Sequence, residues 1–286
     1  MVVMPELPEV ETMRRGVMPI IGQTIRAVSR PPCERKPIQI TPSWNVFRRR
    51  ITGRTITELG RVGKRVVVVL DSGDRLIFEP RMTGLVLLAD PPTQEHLRLV
   101  IELDGGKAES LMYWDRRGLG LVRLVSPREF HDRYLAGDIG PDALAITVDE
   151  LQTRFTASRR AIKVALLDQK LVAGVGNLYA SELLFLAGID PRRRCDLLRR
   201  DDFRRLHGAM IAVLEDAILH EGSTLSDGTY RNALNEAGGY QNHHRVYDRA
   251  GKPCTTCKSP IERIVQAQRS TFFCRACQGK KMTKSK

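Results

Sequence analysis

The segment Met4-Pro5-Glu6 near the amino terminus carries the residues best suited to covalent chemistry. Proline after an initiator methionine is small enough for that methionine to be trimmed, which would leave Pro5 with a free secondary amine. Such an amine can attack a carbonyl-like carbon and form an imine. With a reference pKa near 8, roughly a tenth of it is neutral at pH 7, against about 0.04% of an ordinary lysine. Glu6 places a carboxyl group beside it for general acid–base catalysis.

This chemistry depends on where translation starts. The chain as written begins Met1-Val2-Val3, and with these residues attached the nitrogen of Pro5 is an amide and is not nucleophilic. The imine hypothesis therefore requires Met4 to be the true start. The alternative is structural, because Pro5 and Pro8 could simply stiffen the segment that leads into a helix.

Four of the six cysteines lie close to the carboxyl terminus in two pairs, and sixteen residues separate the pairs. Each Cys-x-x-Cys places two thiolates on one tight turn, and two such turns close a tetrahedral Zn²⁺ site with no open position. We therefore expect one structural zinc. His243 and His244 are rival ligands, but with a complete cysteine set we expect them to be surface residues. The expected zinc ligands are Cys254, Cys257, Cys274 and Cys277.

The composition of the 286-residue chain points to a polyanionic partner. Its formal net charge is +13 and its pI is near 9.8, which favours nucleic acid over a solvated basic surface. No apolar run approaches the roughly 18 residues of a membrane span, and the first residues do not resemble a signal peptide. We expect a protein of the cytoplasm, or of the nucleoid if the source is bacterial.

Short apolar runs in the first half predict β-strands and a sandwich or barrel. A turn signal at 71–74 predicts a hairpin over 65–79, with Lys64 at its mouth. A helix is expected over 9–17, with Val10, Met13 and Val17 on one face. The predicted strands are Thr24–Val28, Thr55–Leu59, Val66–Leu70, Leu76–Phe78, Leu85–Leu88, Leu97–Leu103 and Leu121–Val125.

After about residue 135 the apolar period becomes helical. Thr147 and Glu150 form a capping-box signature that opens a helix. Gly174 and Gly176 permit a tight turn, after which Asn177 is expected to cap a helix whose first amides bind a DNA phosphate. Residues 222–242 are polar and glycine-rich and are predicted to form a mobile loop. Further helices are predicted over Ala161–Leu167, Leu178–Ala187 and Asp202–Leu219.

Together these segments resemble the bacterial formamidopyrimidine-DNA glycosylases. The resemblance rests on the run from Pro5 to Thr12, on Lys64, on the turn over Gly174–Glu182, and on the four-cysteine module with Gln268-Arg269. Order and spacing match over essentially the whole chain. The run Glu6-Leu7-Pro8-Glu9 favours this branch over the related endonuclease VIII type.

The resemblance implies a base-excision repair enzyme that removes oxidised purines, such as 8-oxoguanine and formamidopyrimidines, and cleaves abasic sites by β,δ-elimination. By match of position, Pro5 would attack C1′ and form the imine, while Glu6 protonates the sugar oxygen or shuttles protons. Lys64 would bind phosphate and assist β-elimination, and Arg269 would assist δ-elimination. Asn177 would hold a backbone phosphate.

The implied fold is α+β. It comprises an N-terminal catalytic β-sandwich with flanking helices (1–135), a helix–two-turns–helix domain that includes the loop 222–242 (136–242), and a Cys₄ zinc finger (243–286). The implied partner is double-stranded DNA with oxidised bases or abasic sites, bound by a monomer. One Zn²⁺ and no redox cofactor are implied.

Further DNA contacts follow from the same resemblance, some at altered positions. Met82 matches the methionine inserted into the duplex, Arg117 faces the orphaned base, and Lys163 is taken as another DNA contact. The family's phenylalanine wedge is Leu119 here. The first histidine of the family's Lys-His-Asp-His segment is Gln94, which leaves open whether the DNA contact at this position is kept or lost. The usual His-Leu-Gly before the methionine reads Glu-Pro-Arg over 79–81.

These departures affect the wedge and the recognition of the opposite base, and not the imine chemistry. Two alternatives remain open. One is a DNA-binding relative that has lost catalysis, and its best support is the extension Met1-Val2-Val3. The other is an endonuclease VIII-like glycosylase for oxidised pyrimidines.

Overall fold

A computed structural model describes residues 4–137, 139–225 and 228–279. The chain divides into two compact units, one comprising 1–138 with 217–241 and the other 139–216 with 242–286. The sequence predicts a helix–two-turns–helix domain over 136–242 and a zinc finger over 243–286. By contact within the structure, the described part of 217–241 groups with the N-terminal unit, and the cysteine-bearing residues group with the helical unit.

The N-terminal unit is built on two β-sheets, as a sandwich and not a barrel. One sheet has the strand order β1-β7-β8-β6 and the other β2-β9-β5-β4-β3. Inward-facing side chains of both sheets join a single buried core. The strands are β1 (Thr24–Ser29), β2 (Gln39–Thr41), β3 (Ile56–Val62), β4 (Arg65–Leu70), β5 (Arg75–Glu79), β6 (Gly84–Leu87), β7 (Leu97–Asp104), β8 (Ser110–Asp115) and β9 (Leu121–Val125).

All seven predicted strands are confirmed, and the register of β4 against β5 confirms the hairpin over 65–79. Strands β2 and β8 were not predicted. The short β2 pairs only with β9, in parallel, at the edge of its sheet. Strand β8 pairs with both β6 and β7 and lies inside the other sheet.

Helix α1 (Leu7–Gly16) buries the predicted face, and Val10, Met13 and Val17 are fully enclosed in the core of the sandwich. It carries Glu9 in its first turn and two arginines in its last, which complements the helix dipole at both ends. The remaining helices of this region are α2 (Trp44–Ile51), α3 (Pro127–Phe130) and a π-helical turn (His131–Leu135), and 3₁₀ turns cover Met18–Ile20 and Gln94–His96.

The described part of 217–241 is hydrogen-bonded to this sandwich. The amide of Ser223 donates to Oε1 of Glu9 at 2.9 Å, and the amide of Leu88 donates to the carbonyl of Ala233 at 2.9 Å. Two residues of the predicted mobile loop, Ser226 and Asp227, lie outside the described residues.

The second unit begins with the predicted capping box. The amide of Glu150 donates to the Thr147 hydroxyl at 3.2 Å, and the amide of Thr147 donates to the Glu150 carboxylate at 2.9 Å. Its helices are α4 (Val148–Thr156), α5 (Ile162–Leu166), α6 (Asn177–Leu186) and α7 (Arg200–Leu219), with a 3₁₀ turn at Cys195–Leu197. The described residues include no helix with the length and apolar character that crossing a bilayer needs.

The cysteine-bearing end forms a hairpin of β10 (Glu262–Gln266) and β11 (Arg269–Phe273), followed by α8 (Arg275–Gln278). A buried carboxylate on α6 anchors the approach to it. Glu182 accepts hydrogen bonds of 2.8–2.9 Å from the amides of Arg245, Val246 and Tyr247. Burial raises the pKa of Glu182, and the three amides partly oppose that shift.

Candidate functional site

Pro5 and Glu6 lie at the start of α1, and both are buried. Glu6 occupies the N-cap position, and its amide donates to Oε2 of Glu9 at 2.9 Å. Because the other oxygen of Glu9 accepts the amide of Ser223, one carboxylate fixes the backbone at Glu6 and also holds the segment that follows α7. The two predicted catalytic residues therefore sit on a rigid support rather than on a loose tail.

A second carboxylate of α1 attaches the helix to the hairpin of β3 and β4. Glu11 accepts hydrogen bonds from Arg14 at 2.8 Å and Arg15 at 2.9 Å, and from Nε of Arg61 at 3.1 Å. Burial tends to raise the pKa of Glu11, but these bonds and the charges of Arg14 and Arg61 outweigh it and lower the pKa to about 2. Glu11 is therefore a carboxylate throughout the physiological range.

The turn of this hairpin carries Lys64. Val62 pairs with Arg65, so Gly63 and Lys64 form a two-residue connection, and Gly63 adopts the positive φ of 55° that such a turn requires. Nη1 of Arg61 donates to the carbonyl of Gly63 at 2.9 Å. Lys64 is partly exposed, and its backbone is held through Arg61 by the same network that holds α1. The prediction that Lys64 lies outside the strand core is confirmed.

The structure brings Met82, Arg117 and Leu119 onto two adjoining loops. Asp115, which is fully buried, organises both: its side chain contacts the Thr83 hydroxyl and accepts the amides of Arg117 at 3.1 Å and Gly120 at 2.7 Å. Nη1 of Arg117 then lies 3.0 Å from the sulfur of Met82. Arg117 and Leu119 are exposed, and Met82 is half-buried.

Two positions that depart from the family's pattern, Glu79 and Gln94, lie near these loops. Glu79 is buried and pairs with Arg65 at 2.8 Å and with Arg81 at 2.6 Å, so its carboxylate is satisfied within the protein. Gln94 is exposed at the start of the 3₁₀ turn that precedes β7.

In the second unit, the turns before α6 are held by Gln169, whose side chain accepts the amide of Gly174 and donates to the carbonyl of Val175, both at 2.9 Å. The prediction that Asn177 caps α6 is wrong. Gly176 occupies the N-cap position, and Asn177 is the first helical residue. Its side chain reaches the zinc hairpin instead, where Nδ2 donates to the carbonyl of Ser270 at 3.1 Å.

The prediction that Lys163 contacts DNA is also corrected. Its side chain is completely buried, and its ammonium donates to Oδ1 of Asn177 at 2.5 Å and to the carbonyl of Ser270 at 3.1 Å. Lys163 therefore ties α5 to the start of α6 and to β11. It orients Asn177 and does not itself reach the surface.

Arg269 is exposed at the beginning of β11, one residue before this junction. Gln266 and Arg269 close the hairpin turn, and the two residues between them, Ala267 and Gln268, have positive φ values of 46° and 60°. Side chains with a Cβ rarely adopt this conformation. The turn that presents Arg269 is therefore strained but closely defined.

The four expected zinc ligands converge. All four sulfur atoms lie within 4.8 Å of one another, with 3.9 Å between Cys254 and Cys277 and 3.4 Å between Cys257 and Cys274. A tetrahedron with Zn–S bonds of about 2.3 Å has edges of about 3.8 Å, so the residues fit this ion. Hydrogen bonds from the hydroxyl and amide of Ser259 lower the pKa of Cys257 to about 6, whereas burial raises the pKa of Cys274 and of Cys277.

The two histidines beside this module are not part of the sulfur cluster. His243 is exposed, as expected. His244 is buried, contrary to the expectation of a surface residue, and burial lowers its pKa to about 4.

Comparisons with known proteins agree with this architecture. Residues 4–122 match the formamidopyrimidine-DNA glycosylase N-terminal domain, 139–229 the formamidopyrimidine-DNA glycosylase H2TH domain, and 251–279 the zinc finger found in FPG and IleRS. The formamidopyrimidine-DNA glycosylase of Chloroflexus aurantiacus is 41% identical over 285 residues, which cover 96% of this chain and 98% of that protein.

Solved structures show the same similarity. The MutM (Fpg) protein of Thermus thermophilus aligns with a TM-score of 0.84 and 38% identity, over 97% of this chain and 100% of that one. Wild-type Lactococcus lactis Fpg (MutM), in complex with DNA that contains N7-benzyl-Fapy-dG, aligns with a TM-score of 0.86 and 33% identity, over 96% and 100% of the two chains.

The fold and the zinc module define a DNA-repair enzyme, a bifunctional DNA glycosylase and abasic-site lyase with one structural Zn²⁺. Within that class, the chain belongs to the formamidopyrimidine-DNA glycosylase family. It acts in base-excision repair of oxidised purines. The predictions of the family, the fold class, the zinc and the DNA partner are thereby confirmed.

Proposed function

We propose that Pro5 is the nucleophile of this glycosylase and that Met4 is removed in the active enzyme. The observation that supports this proposal is the rigid setting of the two residues. Pro5 and Glu6 are buried at the start of α1. The carboxylate of Glu9 accepts hydrogen bonds from the amides of Glu6 and Ser223, and the carboxylate of Glu11 accepts one from Arg61 of β3. The match to the family's N-terminal domain also begins at residue 4.

In the proposed reaction, the secondary amine of Pro5 attacks C1′ of the damaged nucleotide, and the glycosidic bond breaks as the base leaves with a proton. Glu6 donates a proton to the sugar ring oxygen as the bond from C1′ to that oxygen opens, which gives a positively charged imine (an iminium ion) because the proline nitrogen is secondary. Loss of a C2′ proton to this electron-withdrawing group then breaks the bond from C3′ to the 3′ phosphate, and loss of a C4′ proton breaks the bond from C5′ to the 5′ phosphate. Lys64 holds a phosphate during the first elimination, and Arg269 assists the second.

DNA binding is assigned to residues on the surfaces described above. Asn177 holds a backbone phosphate, Met82 and Leu119 enter the duplex at the extruded nucleotide, and Arg117 faces the orphaned base. These side chains fill the space that the extruded nucleotide leaves in the duplex, which offsets part of the few kcal/mol that base extrusion costs. Gln94 provides a weaker contact than the histidine it replaces. Lys163 acts indirectly, by orienting Asn177.

We further propose that the enzyme works as a monomer in a bacterial cytoplasm, associated with the nucleoid through DNA. Its functional parts are the catalytic sandwich (1–135), the helix–two-turns–helix region (136–242) and the zinc finger (243–286). The segment 217–241 packs with the first of these.

Borohydride trapping on duplex DNA with an abasic site tests the mechanism, because borohydride reduces an imine to a stable covalent adduct. We expect the adduct to form quickly with the wild-type chain and much more slowly with Pro5→Gly, which keeps a terminal amine but lacks the proline ring. The DNA affinity of Pro5→Gly should stay within a few-fold of the wild-type value. Pro19→Gly, at an exposed proline just after α1, is the matched control and should trap normally. A competent enzyme that mass spectrometry shows to retain residues 1–3 would refute the role of Pro5.

The same preparations decide between the remaining alternatives. A protein that binds abasic DNA but never traps would be a damage-binding relative. Side-by-side cleavage of 8-oxoguanine and thymine-glycol duplexes separates purine from pyrimidine preference, and we expect the oxidised purine to be cleaved faster.

A further inference from the structure

A cleft of about 470 Å³ in the N-terminal unit is lined by basic side chains of two loops and by His96. Arg35 and Lys36 come from the loop between β1 and β2, and Arg116 and Arg117 come from the loop between β8 and β9. We call this the cationic cleft. Apart from the proposed role of Arg117, none of its residues has a function in the reaction described above.

The two loops are held together by close backbone contact. Gly118 has a φ of +62°, and a Cβ built there would lie 2.3 Å from the carbonyl oxygen of Lys36. Only glycine allows the second loop to lie this close to the first. The two arginines that precede Gly118, Arg116 and Arg117, are thereby placed beside Arg35 and Lys36.

A buried arginine beneath the cleft connects the same loops. Arg98 is only 4% exposed; its Nε donates to the carbonyl of Asp115 at 2.8 Å, and its Nη1 contacts the sulfur of Cys33. Within the described part of the chain, Nη2 of Arg98 and Nδ1 of His96 have no hydrogen-bond partner. The backbone contacts and the buried Arg98 therefore fix the two loops in place, and two buried nitrogen atoms that could bind a ligand lie close to the cleft.

The nearby negative charge does not balance the cleft. Glu95 lies 3.4 Å from Arg35 and 3.8 Å from His96, but more than half of its side chain is exposed. Four permanent positive charges around one cavity repel each other unless an anion joins them. Guanidinium groups bind phosphate through paired N–H donors, so a phosphate diester suits these residues best.

We propose that the cationic cleft binds a backbone phosphate of the DNA strand opposite the lesion. The choice of strand rests on the proposed function, because Arg117 belongs both to the cleft and to the loop assigned to the orphaned base. The cleft holds the unreacted strand while the reaction proceeds on the other.

The test combines protein variants with chemically altered DNA. Arg116→Gln should weaken binding to a duplex that contains a tetrahydrofuran abasic analogue by about fivefold, and should reduce the slope of log affinity against log salt by about one. Lys36→Gln should have a similar effect. Arg26→Gln, at an exposed arginine on β1 that pairs with Glu102, is the control and should leave affinity unchanged. Circular dichroism and thermal melting verify that each variant is folded.

Uncharged methylphosphonate linkages, placed one at a time in each strand, then locate the contact. One linkage in the strand opposite the lesion should weaken wild-type binding about fivefold and have no further effect on Arg116→Gln. Sensitivity confined to the lesion strand, or full additivity of linkage and variant at every position, would overturn the proposal. Failure of the proposed function is distinguishable, because the wild-type chain would then give no borohydride adduct while these binding differences persisted.

Discussion

Replacing Glu11 with glutamine tests whether the network around α1 holds the proposed catalytic residues in place. The carboxylate accepts hydrogen bonds from Arg14, Arg15 and Arg61, and Arg61 in turn holds the turn that bears Lys64. Glutamine keeps the shape of the side chain but loses the charge. We therefore expect Glu11→Gln to destabilise the N-terminal unit and to slow borohydride trapping.

The magnitude follows from the pKa of Glu11. A change from the ordinary value of 4.5 to about 2 corresponds to about 3 kcal/mol of interaction that favours the ionised form. Arg15 is more than half exposed, so solvent screens part of that interaction, and we expect a loss of about 2 kcal/mol.

The pH dependence has a definite sign. The pKa is lower in the folded protein than in the unfolded chain, so the stabilisation is complete above about pH 4.5 and is lost as the pH falls towards 2. The wild-type chain and Glu11→Gln should therefore differ at pH 7 and converge at acid pH.

Urea unfolding followed by tryptophan fluorescence is the appropriate assay. The chain has two tryptophans, Trp44 and Trp114, and both lie in the N-terminal unit. Glu102→Gln removes an exposed ion pair with Arg26 and is the matched control, with an expected loss below about 0.5 kcal/mol. If Glu11→Gln were no worse than this control at pH 7, or if its deficit at pH 2.5 were as large as at pH 7, the reasoning would be wrong.

Three further predictions concern the second unit. Cys274→Ser should lower the zinc content below one ion per chain, unfold the finger and abolish DNA binding, and a zinc-free preparation with full activity would contradict this. Ala267→Gly should raise the free energy of unfolding by about 1 kcal/mol, because glycine accepts the positive φ without strain; an unchanged or lower value would indicate an unstrained turn. Lys163→Met should reduce DNA affinity without changing its salt dependence, because the buried ammonium acts through Asn177. A slope reduced by about one would instead indicate a direct phosphate contact.

The apolar pattern of the sequence predicts the sandwich well because each strand shows its character locally. Runs such as Val66–Leu70 are apolar along their whole length, and a turn signal separates that run from the next. Strand β8 escapes the prediction although it is buried inside its sheet, since it follows a glycine-rich turn and mixes polar and aromatic residues. Strand β2 has only three residues and gains its structure from β9.

The polar framework of the site could not be predicted in the same way. Glu9 accepts a hydrogen bond from the amide of Ser223, which is 214 positions away in the sequence. Lys163 donates to the carbonyl of Ser270, which is 107 positions away. No local pattern in a single sequence reports such pairs. The exchange of roles between Gly176 and Asn177 has the same origin, because the side-chain amide of Asn177 is engaged by the distant zinc hairpin rather than by its own helix.

The loop between β8 and β9, to which we assign contacts with the orphaned base, can change its side chains while its backbone position is kept. Asp115 fixes the loop between β8 and β9 through the amides of Arg117 and Gly120, and none of these contacts involves the side chain at 116 or 119. Gly118 provides the backbone contact with Lys36. Substitutions at Arg116 and Leu119 therefore alter what the loop presents to DNA without altering where it lies. Since the contacts that hold Pro5 and Glu6 use other residues, we expect lesion preference to be able to change in this chain without a change in the proposed imine chemistry.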